Sequence, residues 1–402
     1  MIARETAVRT VAVVLVGLAL VVTHITAGAG PSKDADLGCE QPPGNRFFWV
    51  ERAFCDLDQH GPEKANGIVI WNHGLSGTTE QWRAPVPPAF RLLQLRGWDV
   101  VVVKRHNLAE TGGDTALYRA VQRTLEEVRR HREAGYKKIV LAGQSYGGYI
   151  TLESAEQAPD VFAAVAMAPG VRAIGGAGAL DASVTERSLQ RVKVERVAIV
   201  FPKDDALFGN LVRGESANRI LDARRLPYLL LDETSGLTGH GGGTTGRFAL
   251  RYGVCLYDFL SAPTVPAARF VCPGVVDEGR VAEELLLPRR DTPKLLDDPA
   301  VVPPALTGLA GRWYALLDDT LIFFALADAA GGPSQALYRW ASPRVGGSVY
   351  DAVVAGKRVS LTLPNRARVV VEVTSEGPTL TWTSADGSKT VKSRLLDTKN
   401  SR

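Results

Sequence analysis

A serine flanked by glycines marks the segment of this chain best suited to chemistry. Residues 139–150 read Ile-Val-Leu-Ala-Gly-Gln-Ser-Tyr-Gly-Gly-Tyr-Ile, so an apolar run ends at Gly143, Ser145 follows, and Gly147 and Gly148 come next. In a G-x-S-x-G pattern the serine lies on a sharp strand-to-helix turn, where side chains two residues away would collide. The helix that begins there directs free N–H groups towards an oxyanion. The pattern predicts that Ser145 is a nucleophile; the alternative is a glycine-rich turn with an inert serine.

A serine nucleophile needs a base, which in this context comes last in the chain order Ser, Asp, His. Of the six histidines, only His240 follows Ser145. It lies in a glycine-rich loop between the apolar run 228–231 and a helical pattern at 247–260. We predict that His240 is the general base, with a solvated loop histidine as the alternative.

The acid that orients the imidazole is expected after the apolar run 196–201, where Asp204 and Asp205 follow. We choose Asp205, because the acid in such loops usually comes four residues past the last strand residue. Asp204 is the second candidate, and Asp232, after the next apolar run, is the third. Aspartates in solvated turns are the alternative.

Another apolar run, at 67–72, leads into the loop Asn-His-Gly-Leu-Ser-Gly. The backbone N–H of Leu75 in this loop is predicted to join that of Tyr146 in an oxyanion hole. His73 precedes the nucleophile, which is the wrong order for the base. We expect it to shape the loop through hydrogen bonds.

The elements that must position these residues alternate along the chain. Apolar runs without period-two alternation are typical of a parallel sheet covered on both faces, and the helical pattern at 114–134 has an apolar stripe that should face the sheet. The short segment 170–195 is the only obvious cap insertion, so we expect an open site. The predicted strands are 67–72, 98–104, 138–143, 161–168, 196–201 and 227–231, and the predicted helices are 87–96, 114–134, 147–157 and 244–260.

With these residues and this order of elements, the chain resembles the α/β-hydrolase superfamily over residues 65–262. The residues that carry the resemblance are His73-Gly74, the turn at 143–148, Asp205 and His240. The form Ser-Tyr-Gly-Gly-Tyr is similar both to prolyl-oligopeptidase-type serine peptidases and to dienelactone-hydrolase-like esterases. The resemblance implies an α/β fold and hydrolysis of a carbonyl compound, but it does not name the substrate.

The beginning of the chain suggests export. Arg4 and Arg9 precede an apolar run at 11–22, and Ala-Gly-Ala at 27–29 is a cleavage signal. We therefore predict a signal peptide at 1–29, followed by an N-terminal arm at 30–64, and a periplasmic or extracellular location. The alternative is that residues 11–22 stay as a membrane anchor.

Four cysteines in an exported chain suggest two disulfides. Three pairings are possible, and proximity along the chain favours Cys39 with Cys55 and Cys255 with Cys272. Buried free thiols are the alternative.

The last part of the chain differs from the first in amino-acid composition and in the pattern of its apolar runs. Residues 263–304 are rich in proline and are predicted to be a linker with one short helix near 276–287. At 305–398, short apolar and β-branched runs alternate with Gly, Asp, Asn and Pro, which predicts an antiparallel β barrel or sandwich. We expect an accessory domain with few contacts to the first.

The formal net charge of +4, without a Lys/Arg cluster, argues against nucleic-acid binding, while contact of the β domain with an envelope surface stays open. No Cys/His spacing or phosphate-binding loop indicates a cofactor, so none is predicted. The sequence predicts an exported serine hydrolase that cleaves a carboxylic ester. The alternatives are a serine peptidase and a non-catalytic binding protein on the same fold; acyl specificity and oligomeric state stay open.

Overall fold

The computed structural model describes residues 39, 47–76, 79–106, 114–171, 182–272, 274, 276–289, 292–329 and 332–399. The predicted signal peptide and most of the N-terminal arm lie outside these ranges. Among the helices described, none has both the length and the apolar character needed to cross a bilayer.

The first domain is built on seven strands. They are β1 (Phe48–Arg52), β2 (Ile68–Asn72), β5 (Asp99–Arg105), β6 (Ile139–Gln144), β7 (Ala163–Met167), β8 (Arg196–Val200) and β9 (Tyr228–Leu231), while β3 (Leu75–Ser76) and β4 (Thr79–Glu80) form a separate hairpin. The strand order is β1-β5-β2-β6-β7-β8-β9. All neighbours are parallel except β1, which runs antiparallel to β5 at one edge. All six predicted strands are present.

Helices cover both faces of this sheet. They are α1 (Pro88–Leu95), α2 (Asp114–Glu133), α3 (Tyr146–Gln157), α4 (Ala182–Arg191), α5 (Gly214–Ala223) and α6 (Gly246–Ser261). Successive strand residues point to opposite faces. Val69 and Trp71 therefore pack with α1 and α6, while Ile68 and Ile70 pack with α2, α3 and α5. Burial on both faces explains why the strands show no apolar alternation.

The strand β1 lies in the segment predicted as an arm. Only Trp49 of its five residues is buried, because an edge strand is half exposed. A run with one buried side chain carries no clear apolar pattern, so this strand could not be predicted from the sequence.

Both disulfides predicted from proximity are present, Cys39 with Cys55 and Cys255 with Cys272. Cys55 follows the edge strand β1 by three residues. Cys255 lies in α6, which the second disulfide joins to the segment that follows it.

That segment runs along the other edge of the sheet. The N–H of Tyr228 in β9 donates to the carbonyl of Ala268 at 3.2 Å, and the N–H of Phe270 donates to the carbonyl of Tyr228 at 2.6 Å. The guanidinium of Arg269 also donates to the carbonyl of Leu230 at 3.0 Å. Each edge of the sheet thus lies next to a disulfide.

The C-terminal domain is an antiparallel β barrel. Its strands are β10 (Arg312–Leu317), β11 (Thr320–Ala329), β12 (Gly332–Ala341), β13 (Val345–Ala355), β14 (Arg358–Thr362), β15 (Arg368–Thr374), β16 (Gly377–Thr383), β17 (Thr390–Arg394) and β18 (Leu396–Asp397). The strands follow chain order from β10 to β17, and β18 pairs back onto β10, which nearly closes the barrel. This confirms the predicted all-β domain.

Parts of the proline-rich stretch predicted as a linker are packed into the cores of the two domains. It contains α7 (Glu278–Leu286), close to the predicted helix, and α7 buries Val281 and Leu285 in the same core as α1 and α6. Further along, Leu306 and Leu309 are fully buried in the core of the barrel.

The expectation of few contacts between the two domains is wrong. Tyr314, Leu321 and Phe323 of the barrel are buried in one continuous core with Phe90 of α1 and Phe248 of α6. An apolar stripe on a helix predicts burial, but it does not reveal whether the covering element belongs to the same domain.

The two domains approach each other closely at the beginning of α6. A Cβ on Gly246 would lie 2.1 Å from the carbonyl oxygen of Ala341 and 2.5 Å from the backbone nitrogen of Leu321, so only glycine fits there. The next residue, Arg247, donates from its backbone and its guanidinium to Asp319 in the β10–β11 turn. The barrel therefore contacts the helix that directly follows the His240 loop.

Candidate active site

Ser145 lies on a strained turn between β6 and α3. Its φ of 55° and ψ of −123° place a non-glycine residue in a conformation that side chains rarely adopt. A Cβ on Gly143 would lie 2.2 Å from the carbonyl oxygen of Gly147, and one on Gly147 would lie 2.0 Å from that of Asn72. The two glycines are thus required by the close approach of the turn to itself and to β2, as the motif predicts.

The backbone of Ser145 is held on both sides. Its N–H donates to the carbonyl of Met167 at 2.9 Å, and its own carbonyl accepts from Gly170 at 3.2 Å. Tyr146, the next residue, is the first of α3, and the N–H groups of a first helical turn lack partners within the helix. The Tyr146 N–H, directly after the serine, therefore has no partner within its own helix.

The loop after β2 lies against this turn. A Cβ on Gly74 would be 3.3 Å from the Cβ of Ser145, which shows how closely the two segments pack. In the β3–β4 hairpin, Leu75 faces Glu80, and the N–H of Gln81 donates to the carbonyl of Gly74. Because hydrogen-bonded and non-bonded pairs alternate in an antiparallel ladder, the N–H of Leu75 points away from β4.

His73 is fully buried and shapes this loop. Its Nε2 accepts from the backbone N–H of Arg105 at 3.0 Å, so Nδ1 carries the proton and donates to the carbonyl of Gly74 at 2.9 Å. Burial, aided by the nearby positive charge of Arg105, lowers the pKa of His73 well below 6.5. With both nitrogens occupied, a neutral His73 has no free lone pair with which to take a proton.

The guanidinium of Arg105 completes the support of the loop. It contacts the carbonyl of His73 and both carboxylate oxygens of Glu80, the latter at 3.2 Å. All three side chains are nearly inaccessible to solvent. This ion pair ties the end of β5 to the β3–β4 hairpin.

His240 and Asp205 are in direct contact. The imidazole Nδ1 lies 3.1 Å from Oδ1 and 3.0 Å from Oδ2 of Asp205. A carboxylate only accepts, so Nδ1 carries the proton and Nε2 keeps its lone pair. Of the other candidate acids, Asp204 is exposed and Asp232 bonds to Thr234 and Arg269 instead.

The imidazole Nε2 is buried and, within the described residues, has no hydrogen-bond partner. Ser145 is 9% exposed. No hydrogen bond between the Ser145 hydroxyl and His240 is present in the described part of the chain, although the carbonyl of His240 accepts from the side chain of Gln144 at 3.2 Å. The residue before the serine therefore binds the residue predicted as the base.

Residues 67–212, the segment that contains Ser145 and Asp205, match the family model described as the alpha/beta hydrolase fold. The first domain has the α/β-hydrolase fold. Comparison with curated proteins gave no match.

Three solved structures illustrate the likeness of the hydrolase domain. The Pyrococcus furiosus esterase Pf2001 has 13% identity and a TM-score of 0.37, covering 56% of this chain and 96% of that one. The Pyrobaculum calidifontis esterase has 15% identity and a TM-score of 0.36, covering 54% and 86%. A protein described as a putative dienelactone hydrolase, from Klebsiella pneumoniae, has 16% identity and a TM-score of 0.30, covering 46% and 78%.

Two residues of the hydrolase domain that contact the acid and base carry no sequence signal. Gln144 occupies a position that the motif leaves free, and Arg213 donates from Nη2 to Oδ2 of Asp205 at 3.1 Å. Both contacts depend on loops that meet only in the folded chain. No group of His, Cys, Asp and Glu side chains among the described residues is arranged to hold a metal ion.

Proposed function

We propose that the chain is a serine hydrolase that cleaves a carboxylic ester, with Ser145 as nucleophile, His240 as general base and Asp205 as the acid that orients it. The observation that carries the proposal is the contact of His240 Nδ1 with both oxygens of a buried Asp205. The strained Ser145 turn and the free Nε2 of His240 support it. The alpha/beta hydrolase family match supports a hydrolase in the coarser sense.

In the first half of the reaction, the Ser145 oxygen attacks the ester carbonyl while Nε2 of His240 takes the hydroxyl proton. The carbonyl oxygen becomes an oxyanion, which accepts from the N–H groups of Tyr146 and Leu75. Collapse of the tetrahedral intermediate breaks the C–O bond to the alcohol, and His240 returns its proton to the leaving oxygen. The acyl group is then bonded to Ser145.

In the second half, water attacks the acyl carbon and gives a proton to His240. The acid product leaves as Ser145 regains its proton. Asp205 stays ionised throughout, holding Nδ1–H and stabilising the imidazolium when it forms. The proposed chemistry requires no cofactor.

We also propose that the protein is exported to the periplasm or the extracellular space. Two disulfides support this, because disulfides persist in oxidising compartments and are rare in reducing ones. The proposed substrate is a small or polymeric ester, and an envelope contact through the barrel stays part of the hypothesis.

The test is active-site labelling with a fluorophosphonate, followed by turnover of p-nitrophenyl esters and dipeptide amides. We expect Ser145 to be labelled, and Ser145→Ala and His240→Ala each to lose roughly 10⁴-fold in kcat on esters, with the double variant no worse than either single one. Faster turnover of amides than of esters would favour the peptidase. Unchanged turnover in His240→Ala would refute the assignment.

A further inference from the structure

A buried arginine holds the proposed acid from the side opposite its histidine. Arg213 is 6% exposed, and its Nη2 donates to Oδ2 of Asp205 at 3.1 Å. Resting on the function proposed above, we infer that Arg213 is a positioning residue that fixes the Asp205 carboxylate in the orientation in which it holds His240.

Each oxygen of Asp205 has a fixed donor besides the imidazole. Oδ1 accepts from the backbone N–H of Leu207 at 3.2 Å, and Oδ2 accepts from Arg213. With one donor on each oxygen, rotation of the carboxylate breaks at least one charge-assisted or backbone hydrogen bond. The two donors therefore set the plane in which the carboxylate meets Nδ1 of His240.

The guanidinium is itself held in place. It lies 3.6 Å from the ring centre of Phe208 and 4.4 Å from that of Phe201, and its Nη1 donates to the carbonyl of Pro169 at 3.3 Å. Burial lowers the pKa of Arg213 to about 10, so it stays protonated at neutral pH. A planar fork with two fixed bonds is a geometry that lysine cannot reproduce.

Arg213 also connects the acid with the nucleophile. Pro169 is followed by Gly170, whose N–H donates to the carbonyl of Ser145 at 3.2 Å. The same loop thus binds Arg213 through Pro169 and Ser145 through Gly170. The side chain of Arg213 fixes the acid relative to the segment that holds the nucleophile.

The sign of its charge favours a role for Arg213 in orienting the carboxylate. A cation beside Asp205 opposes the build-up of positive charge on the imidazole, so by charge alone it would slow the reaction. Its benefit to the reaction must therefore come from orientation, together with compensation of the buried carboxylate. Such a residue should affect kcat and leave KM almost unchanged.

The experiment compares Arg213→Met, Arg213→Lys and a matched control, Arg224→Met, on a p-nitrophenyl ester. Like Arg213, Arg224 donates from both Nη atoms, but its two acceptors are backbone carbonyls, those of Leu189 and Val192, and it lies in a different contact network. We expect Arg213→Met to lose roughly 10- to 100-fold in kcat with KM within threefold, Arg213→Lys to lose less, and Arg224→Met to keep its kcat.

A double-variant cycle with Asp205→Asn supplies a readout that a merely structural role would not move. In the Asp205→Asn background, Arg213→Met should cost no further kcat, because the carboxylate that it positions is gone. The Asp205→Asn variant leaves the buried Arg213 cation without its partner. Adding Arg213→Met removes that cation, so the melting temperature of the double variant should be higher than that of Asp205→Asn alone.

The inference would be overturned if the kcat losses of Arg213→Met and Asp205→Asn multiplied in the double variant. It would also be overturned if the kcat of Arg213→Met stayed within twofold of wild type. If Arg213→Met does not fold, the inference is tested by comparing the kcat of Arg213→Lys with that of wild type, and the kcat of the double variant with that of Asp205→Asn. The melting cycle needs no substrate, so it tests the Arg213–Asp205 contact even if Ser145→Ala retains activity and the proposed function fails.

Discussion

Replacing Gly147 with alanine would force apart the two segments proposed to bind the oxyanion. The new Cβ would lie 2.0 Å from the carbonyl oxygen of Asn72 and 2.5 Å from that of His73, and both are backbone atoms that cannot rotate away. Ordinary contact begins at 3.4 Å, so the turn and the end of β2 must separate by about 1.4 Å. Tyr146 N–H lies on one side of that gap and Leu75 N–H on the other.

A misplacement of ~1 Å can cost roughly 100-fold in rate, as can the loss of one oxyanion donor. We therefore expect kcat of Gly147→Ala on a p-nitrophenyl ester to fall roughly 100-fold. The control is Gly148→Ala, which lies in the same helix as Gly147→Ala and brings the same gain in helix propensity. Its new Cβ would lie 3.2 Å from the nearest atoms. Its neighbours need to move only a few tenths of an ångström, so kcat should stay within about fivefold.

Thermal unfolding followed by circular dichroism must show that both variants are folded when kcat is measured. A Gly147→Ala protein that is folded and turns over at the wild-type rate would refute the reasoning. It would mean that the separation of the Ser145 turn from the end of β2 does not govern the reaction.

Three further perturbations test other parts of the structure. Asp205→Asn should cut kcat roughly 10³- to 10⁴-fold by favouring the wrong imidazole tautomer, while Asp204→Asn should cost under tenfold; the reverse ranking would move the acid by one residue. Burial lowers the pKa of His131 to about 4, so the unfolded chain binds more protons below pH ~6.5 and stability falls as the pH drops from there towards 4. Urea unfolding at pH 7 and 5 should show a smaller loss for His131→Gln than for wild type, and an equal loss would contradict this. A chain ending at residue 290 would uncover the faces of α6 and α7 that pack on the barrel, so we expect it to aggregate. Size-exclusion chromatography would detect the aggregates. A soluble, folded fragment with ester turnover within tenfold of full length would show that the shared core is dispensable.

Local patterns predicted much of the first domain. The turn around Ser145 could be predicted from sequence because its glycine spacing is a local pattern, even though Gly147 is required by contact with the distant residue Asn72. The parallel strands could be predicted because burial on both faces makes them continuously apolar. Asp205 was preferred to Asp204 on a count along the loop, and the structure places Asp205 against His240.

What the sequence could not predict depends on contacts between distant segments. Arg213 is one of 47 Lys and Arg residues, and nothing near it in the chain indicates that it meets Pro169, 44 residues away. Gly246 looks like any glycine before a helix until Ala341 of the barrel is placed against it. The same limit concealed the shared core, because an apolar helix face does not specify its partner.

The position of the two disulfides has a consequence for self-association. An open sheet exposes unpaired N–H and C=O groups along its edge strands, and these can recruit a strand from another molecule. Here the edge strand β1 is followed closely by Cys55, and the segment that lies along β9 is tied down through Cys272. Reduction would loosen the chain next to both edges at once. The oxidised protein should therefore resist edge-to-edge polymerisation better than the reduced one, a difference visible in light scattering before any loss of helix content.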